Sequence, residues 1–398
     1  MVYLIQNTMK KQVINWIREN LSLFPAIISV VVLHYLIGGF KSLPNIALVG
    51  VYLISIITYI THGRFSISPV WFCFLLYLPF TILLANPDSV FHPWDRFMLF
   101  GLLYLSFAPV IQSPYARLFR KRCLNFSLLI CIVVSIGSFI CYFLGINLFS
   151  YELASDYVGK AGMFSGLTKQ SMYLGPISGI SVIYLFYLTI FKRQLWSWFL
   201  IIPCAGCLLF ASSRIAFAAT IGGLLVELYY MSENKSNAIK RLIVIGIFIC
   251  LTFPLWESAT FALQEKASAN ENLINSRANK FLARITEFTS SPVYGVGFAS
   301  IDANGLDSFN HKTGTIEPGS SWLGILSMTG IIGMIYFCTL YFHTILSIIR
   351  IKQYAWLLAI LFFFGIHMLA EGYVFAAGSP TAFLLWMSLG CAFDKKFE

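Results

Sequence analysis

One arginine stands alone in a long apolar stretch of the chain. Arg214 follows Ser212-Ser213 within the predominantly apolar residues 195–230. A charged guanidinium in or near a bilayer costs several kcal/mol unless a partner compensates it. Its rigid fork of N–H donors matches the oxygens of a phosphate group. Arg214, with Ser213 beside it, therefore predicts a binding site for an anionic, membrane-borne ligand.

Three further basic residues have the spacing of one helix face. Arg277, Lys280 and Arg284 are separated by three and four positions, so their side chains project from the same side of a helix. If that face covers the point where Arg214 emerges, the guanidinium groups form a clamp for a diphosphate. The alternative is a basic stripe that faces solvent or lipid headgroups. The presence of Arg214 favours the clamp.

Few residues are candidates for acid–base chemistry. His367 and Glu371 are four positions apart near the predicted outer end of a membrane span. Glu371 is either the structural partner of an arginine or a general base, and His367 is interpreted as a hydrogen-bonding core residue. His311 and Glu317 precede another span and are weaker acid–base candidates, which polar loop positions explain equally well.

Other classes of chemistry have little support in the sequence. It contains no Walker loop, no dinucleotide-binding glycine motif after a strand and no nucleophile elbow. Only His92 and His311 lie clearly outside the predicted spans, so no metal site and no cofactor are expected. Cys204 and Cys207 lie within an apolar helix and are interpreted as packing residues.

The composition indicates that membrane helices position these residues. Of the 398 residues, 58% are hydrophobic and 11% are charged, whereas a soluble domain carries about 25% charged residues. A span needs about 20 apolar residues. We predict an all-α integral membrane protein, a single polytopic domain over residues 1–398. The spans lie near residues 21–39, 45–62, 67–85, 97–113, 124–145, 171–191, 195–212, 214–230, 242–256, 320–348, 354–371 and 377–393, about twelve in all.

The basic residues predict the orientation of these spans. With the N-terminus in the cytoplasm, most of the 27 Lys and Arg residues fall in short cytoplasmic loops and tails. Both termini are then cytoplasmic, and the basic first twenty residues are a cytoplasmic segment rather than a removed signal. The net charge of +10 reflects this topology, and no nucleic-acid partner is predicted.

The longest extracytoplasmic segment is a periplasmic loop at residues 257–318, between spans nine and ten. Its first half, 257–290, has helical character. The spacing of Phe281, Leu282, Ile285 and Phe288 predicts one apolar helix face. We interpret this helix as amphipathic and lying on the outer membrane surface.

Over residues 160–393 the chain resembles the O-antigen polymerase and ligase superfamily (Wzy and WaaL). Four segments carry the resemblance: Gly166–Ser171 entering a span; Ser212-Ser213-Arg214 opening a membrane helix; Ser276-Arg277 followed by Pro292 and Gly295-Val296-Gly297; and Pro318–Leu323 followed by Thr329–Gly333. The ligases carry a histidine where this chain has Gly319 or Ser320. That departure favours a polymerase over a ligase.

The resemblance implies a GT-C-like glycosyltransferase of the bacterial inner membrane. It would polymerise O-antigen, capsule or exopolysaccharide by moving a polyprenyl-diphosphate-linked glycan onto another lipid-linked repeat unit at the outer leaflet. The implied partners are an undecaprenyl-diphosphate-linked oligosaccharide, membrane lipid and a chain-length regulator protein. The alternatives are an O-antigen ligase and a flippase or transporter for lipid-linked oligosaccharides, which predicts repeat symmetry and charged residues near the membrane midplane.

The resemblance assigns diphosphate binding to Arg214 and Arg277. With these two, Glu371 completes the predicted catalytic set. The predicted substrate-binding residues are Lys169, Ser213, Lys280, Arg284, Glu317 and Trp322. Trp322 is either a platform for a sugar face or an interfacial anchor.

Overall fold

A computed structural model of the chain describes residues 23–39, 45–61, 65–148, 164–232, 236, 240, 275–302, 309–310 and 315–394. These residues form a bundle of α-helices with very little strand. In chain order the helices are α1 Leu23–Leu33, α2 Asn45–Thr61, α3 Pro69–Ala85, α4 Pro93–Phe107, α5 Pro114–Phe143, α6 Ser171–Ile190, α7 Trp196–Phe210, α8 Arg214–Met231, α9 Asn275–Ser290, α10 Ser321–Ile348, α11 Ala355–His367 and α12 Pro380–Asp394.

Two pairs of short antiparallel strands connect the helices. Ser66–Ile67 (β1) pairs with Ile111–Gln112 (β2), and Phe309–Asn310 (β3) pairs with Thr315–Ile316 (β4). The β1–β2 pair joins the connection after α2 to the connection after α4.

The helices agree closely with the predicted spans. Every helix except α9 overlaps a predicted span, and α9 is the predicted helix of the long loop. Within the described residues α5, α6, α8 and α10 are long and apolar enough to cross a membrane, and several other apolar helices are shorter. The predicted ninth span, 242–256, lies outside the described residues, so the number of spans stays a prediction. The mostly helical fold is confirmed, and its long apolar helices agree with the predicted membrane protein.

Helix α5 begins earlier than the predicted span at 124–145. The Ser113 hydroxyl accepts a hydrogen bond from the Ala116 amide at 3.0 Å, and Pro114 occupies the first helical position. A serine cap followed by proline is a strong helix start. The basic residues from Arg117 to Arg122, expected in a loop, are therefore helical.

Those basic residues mark one end of the bundle, which we call the basic end. Here the Tyr187 hydroxyl at the end of α6 donates to the Gln353 carbonyl before α11 at 2.9 Å. Arg350 is exposed at this end. At the opposite end lie the starts of α2, α4, α6, α8, α10 and α12, the end of α11, and α9. We call this the site end.

A buried ion pair joins α5 to α12 at the basic end. Arg120 Nε and Nη2 donate to Asp394 Oδ2 and Oδ1, each at 2.8 Å, and Nη1 donates to the Ile111 carbonyl at 3.1 Å. The Arg120 side chain is fully buried. The bidentate geometry and the third bond compensate the desolvation of both charges.

Helix α10 is interrupted at Gly330, where the backbone adopts φ 65° and ψ −170°. The interruption frees carbonyl groups that a continuous helix would use. The Val296 and Gly297 amides donate to the Ser327 and Met328 carbonyls at 2.9 and 3.1 Å, and the Ile331 amide donates to the Pro292 carbonyl at 2.9 Å. The turn that follows α9, residues 292–297, thus supplies the hydrogen-bond partners that the interrupted helix lacks.

The junction between α10 and the turn that follows α9 requires glycine at positions 330 and 295. The positive φ of Gly330 is one that side-chain-bearing residues rarely adopt, and a Cβ there would collide with the Val293 carbonyl. On the other side, a Cβ on Gly295 would lie 2.5 Å from the Ser327 carbonyl oxygen. The sequence predicted one uninterrupted span over 320–348, whereas the structure has two helical segments that meet at the turn.

Replacement of Arg120 by Ala is expected to destabilise the protein by about 3–5 kcal/mol, because it leaves the Asp394 carboxylate buried without its partner. Unfolding of the purified protein by denaturant in detergent measures this. Lys121→Ala, at the exposed neighbouring position, is the control and should change the free energy of unfolding little. Equal stability of Arg120→Ala and the wild type would contradict the structural role of the pair.

Gly330→Ala should lower stability by at least about 1–2 kcal/mol, since the backbone conformation at Gly330 is essentially restricted to glycine and the alanine Cβ displaces the 292–297 turn. Gly50→Ala is the matched control, because a Cβ at Gly50 meets nothing within 4 Å. The control should be neutral or stabilising, as expected for Gly→Ala inside a helix. Identical thermal unfolding profiles for Gly330→Ala and Gly50→Ala would contradict the close packing of the 292–297 turn against α10 at Gly330.

Candidate functional site

Three of the predicted site residues lie where α6 and α8 begin. Ser213 is the cap of α8 and Arg214, which is partly exposed, is its first residue. On the facing side of α6, a Cβ at Gly175 would lie 2.8 Å from the Ser213 Cβ. Lys169 precedes α6 and is buried, with its Nζ 4.3 Å from the centre of the Tyr35 ring. Lys169, Ser213 and Arg214 therefore flank the starts of two helices in contact.

Helix α11 packs against the same two helices. A Cβ on Gly179 of α6 would collide with the Thr220 hydroxyl of α8 and lie 2.9 Å from the Phe363 ring of α11. On α8, a Cβ at Gly223 would lie 3.0 Å from the Ala359 carbonyl oxygen. Small residues at these contacts let membrane helices approach closely. The end of α11 is thereby positioned beside the start of α8.

His367 ends α11 one turn beyond Phe363. Its ring stacks on Phe363 with the ring centres 5.3 Å apart, and its Nδ1 lies 3.2 Å from the Tyr373 hydroxyl oxygen. The imidazole is 2% exposed. The structure confirms the interpretation of His367 as a hydrogen-bonding core residue.

The segment 317–321 brings together another group of predicted residues. Lys280 Nζ of α9 forms a salt bridge with Glu317 Oε2 at 2.5 Å. Four residues on, the Ser321 hydroxyl donates to the Glu371 carbonyl at 2.7 Å, and the Ser321 amide donates to the same oxygen at 2.9 Å. Glu371 itself is 9% exposed. The segment 317–321 at the start of α10 thus contains Glu317 and contacts both Lys280 and Glu371.

Gly319 and Ser320, which stand where the resembling ligases carry a histidine, each have a local structural role. Gly319 has φ +74°, and a Cβ there would lie 2.9 Å from the Lys280 Cβ. At the next position the Ser320 hydroxyl caps α10, since it accepts from the Leu323 amide at 3.3 Å and donates to the Met368 carbonyl at 3.1 Å. A side chain at position 319 would be strained and would displace Lys280. The side chain at position 320 caps the start of α10.

Trp322 packs between α10 and α11. Its indole Nε1 donates to the Gly365 carbonyl at 2.9 Å, and its ring contacts Phe337 and Tyr341 edge-on. These contacts hold the start of α10 against α11. Stacking of Trp322 on a sugar stays a prediction.

Helix α9 turns a charged face towards the protein. Arg284 Nη2 donates to Glu287 Oε1 at 2.6 Å, and the Asp302 amide donates to the same oxygen at 2.9 Å. Arg284 and Glu287 are 1% and 3% exposed, whereas Leu282 and Ile285 are 64% and 47% exposed. This agrees with an amphipathic helix whose apolar face is turned outward. The side chain of Arg277, on the first turn of α9, lies outside the described residues.

Burial dominates the electrostatics of the Arg284–Glu287 pair. It lowers the pKa of Arg284, against the opposing influence of Glu287 and Asp302. Burial likewise raises the pKa of Glu287, against the influence of the Arg284 guanidinium and the Asp302 amide. Within the part of the chain that the structure describes, Nε and Nη1 of Arg284 are buried without a hydrogen-bond partner. The structure therefore places Arg284 in an ion pair that leaves donor capacity unused.

A cavity opens beside Glu371 at the site end. Its volume is about 440 Å³, and its walls include Ser321, Gly324 and Met328 on one face of α10 and the loop 372–378. Arg96 is the only charged residue among the described residues that line it. Arg96 was not predicted as a site residue. A signal was present, because a cation in the first turn of a helix opposes the helix dipole.

Comparison with known proteins supports the resemblance. Residues 198–338 match a protein family described as O-antigen ligase, while no curated protein matches the chain. The match includes three of the four resembling segments, from Ser212 to Gly333, and leaves the segment at Gly166–Ser171 as a prediction. The resemblance to the O-antigen polymerase and ligase superfamily is confirmed, and it indicates a multi-pass membrane enzyme of that type.

Glu287→Leu should destabilise the protein by about 3–5 kcal/mol, because Arg284 then remains buried without its counter-charge. The double variant Arg284→Met with Glu287→Leu should recover most of that loss, since an apolar pair of similar volume avoids desolvation. Denaturant unfolding in detergent measures both variants. A double variant no more stable than Glu287→Leu would show that the two side chains act separately.

Proposed function

We propose that the chain is a polysaccharide polymerase of the bacterial inner membrane, with its basic end in the cytoplasm. It transfers a polyprenyl-diphosphate-linked glycan onto another lipid-linked repeat unit at the outer leaflet. The product is an O-antigen, capsule or exopolysaccharide chain. The observation that carries the proposal is the placement of Arg214 at the start of α8, within the residues that match the family.

In the proposed reaction, a hydroxyl oxygen of the acceptor sugar attacks the anomeric carbon of the donor glycan. The bond from that carbon to the diphosphate oxygen breaks, and the polyprenyl diphosphate leaves with the bonding electrons. Arg214 and Arg277 stabilise the charge that develops on the leaving group. The proton of the attacking hydroxyl passes to Glu371, whose buried backbone is held by Ser321.

The remaining candidates support binding. Lys169 and Ser213 flank Arg214 at the starts of α6 and α8, where further donors to phosphate oxygens are useful. The Lys280–Glu317 pair holds α9 against the start of α10, so it fixes the position of the helix that carries Arg277 and Arg284. The energy for the transfer comes from the glycosyl diphosphate bond.

An O-antigen ligase is the second candidate, because the matching family is described by that name. A ligase would pass the glycan to the final acceptor rather than to another lipid-linked repeat unit. The backbone of Gly319 and the capping role of Ser320 argue against it. Neither position supplies the histidine that the ligases carry.

Deletion of the gene followed by examination of the surface glycan distinguishes these functions. Loss of a polymerase leaves single repeat units on the final acceptor. Loss of a ligase instead leaves long polymer on the lipid carrier, and loss of a flippase leaves repeat units on the cytoplasmic side. We expect the first outcome, and either of the others would refute the polymerase.

Arg214→Ala is expected to abolish long-chain polymer while the protein still inserts in the membrane, because the diphosphate loses its main counter-charge. Arg277→Ala should have the same effect. Arg214→Lys should also be poor, since an ammonium group lacks the planar fork. Complementation of the deletion strain, with chain length read from the surface glycan, provides the measurement.

Arg350→Ala removes the same charge from the exposed basic end and serves as the control, with normal chain length expected. Normal chain length in Arg214→Ala, at equal protein abundance, would disprove the role of Arg214.

A further inference from the structure

Helix α9 carries no charge on its outer side, over the part whose side chains the structure describes. Its charged side chains there, those of Lys280, Arg284 and Glu287, form ion pairs and turn towards the protein. The large side chains that it exposes are those of Leu282 and Ile285. A helix whose outer side faces water usually carries charged residues there. The outer side of α9 therefore indicates a less polar environment.

Two exposed hydroxyl groups at the end of α9 find their partners within the helix itself. The Thr289 hydroxyl donates to the Thr286 carbonyl at 2.8 Å, and the Ser290 hydroxyl donates to the Glu287 carbonyl at 2.7 Å. Serine and threonine that bond back to their own helix can face lipid, because their hydroxyl groups need no water. The outer side of α9 at this end is thus compatible with hydrocarbon.

Contacts with α3 show how deep this end of α9 lies. Helix α3 runs towards the site end. Four residues before its last residue, the Thr81 hydroxyl accepts from the Phe298 amide at 3.1 Å; eight residues before it, the Tyr77 hydroxyl donates to the Thr329 carbonyl at 2.8 Å. At 1.5 Å per residue, these positions lie about 6 and 12 Å before the end of α3. The junction between the 292–297 turn and α10 therefore lies between the two ends of α3.

Exposed apolar residues lie near this level on both neighbouring helices. Leu83 of α3, between the junction and the site end, is 68% exposed, and Ile332 and Ile335 of α10 are exposed just after Gly330. Because α10 is long and apolar enough to cross a membrane, these side chains are expected to face acyl chains. Val293 of the turn is 52% exposed, and its carbonyl accepts from the Ile332 amide at 3.5 Å. Val293 thus continues the lipid-facing surface of α10.

The backbone of the turn suits the same environment. An irregular segment at membrane depth is tolerated where its polar groups are paired inside the protein. Besides the bonds that join the turn to α10, the Gly295 amide donates to the Ser291 carbonyl at 2.9 Å. These pairings let the turn lie in hydrocarbon without losing its hydrogen bonds.

We propose that α9 enters the bilayer with its C-terminal end, so that the 292–297 turn lies within the leaflet at the site end. Phospholipid acyl chains then cover Ile285 and Val293, in continuity with the lipid-facing surface of α10. The amphipathic pattern alone indicates a helix that lies flat on the membrane, with all its exposed positions at one depth. The inserted helix instead has a gradient of depth along its length. This holds for a polymerase and for a ligase alike.

Nitroxide spin labels measure this depth in the full chain, reconstituted in phosphatidylcholine nanodiscs. Each label is coupled to a ketone-bearing residue that replaces one side chain, so the nine native cysteines can stay. The labelled positions are Asn279, Ile285, Ser290 and Val293, all exposed on α9 or its turn, with the exposed Ile335 of α10 as the reference in lipid. Paramagnetic relaxation is compared for oxygen, which partitions into hydrocarbon, and for a neutral, water-soluble nickel chelate.

The ratio of oxygen relaxation to nickel relaxation should rise from Asn279 through Ile285 to Val293. At Val293 and Ser290 it should reach the value found at Ile335. Thermal unfolding of each labelled protein checks that it is folded. Ser290 lies at the same end of α9 but outside the turn, so its label gives the answer if the label at Val293 disturbs the junction.

Three results would overturn the proposal. The same ratio at all four positions of α9 and its turn would show a helix that lies flat on the membrane. A ratio at Ser290 and Val293 as low as that at Asn279 would place the turn in water. Weak relaxation of the Val293 and Ser290 labels by both reagents would show that protein, such as a second copy of the chain, covers this surface instead of lipid.

Discussion

The interruption of α10 at Gly330 is the constraint on which the site end depends. In an apolar environment every backbone carbonyl released by a broken helix must find a donor. The amides of Val296 and Gly297 supply two of them, at 2.9 and 3.1 Å. This anchors the turn that follows α9 and so fixes α9 beside the segment 317–321. That segment carries the Lys280–Glu317 bridge at one end and the hydrogen bonds from Ser321 to the Glu371 carbonyl at the other.

Helix α11 connects this half of the site to Arg214. Its close contacts with α6 and α8, which small glycine residues permit, place His367 beside the start of α8. The loop that follows carries Glu371 and the wall of the cavity. Helix α11 therefore links the start of α8, where Arg214 lies, to the loop that follows Glu371. In the proposed reaction both lipid-linked substrates must meet at one membrane surface.

Hydropathy predicted the helices well, because each span needs a continuous apolar run whatever its neighbours are. The lone Arg214 was also visible in the sequence, since a charge in an apolar stretch needs no structure to be noticed. The Arg284–Glu287 pair was not predicted, because the spacing of the cations alone suggested a ligand-binding helix face. Arg96 was missed because the cavity that it lines is formed with α10 and the loop 372–378, which are distant in sequence. The interruption at Gly330 appeared only as a family motif, since its cause is a long-range contact.

In the proposed reaction, Arg214 binds the diphosphate of a lipid-linked glycan at the site end. The most direct measurement is an electron cryo-microscopy structure of the full chain in a nanodisc with a polyprenyl diphosphate bound. We predict phosphate density within hydrogen-bond distance of the Arg214 guanidinium, about 3 Å, between the starts of α6 and α8. Diphosphate density bound elsewhere, with the Arg214 guanidinium engaged only by protein groups, would contradict the claim.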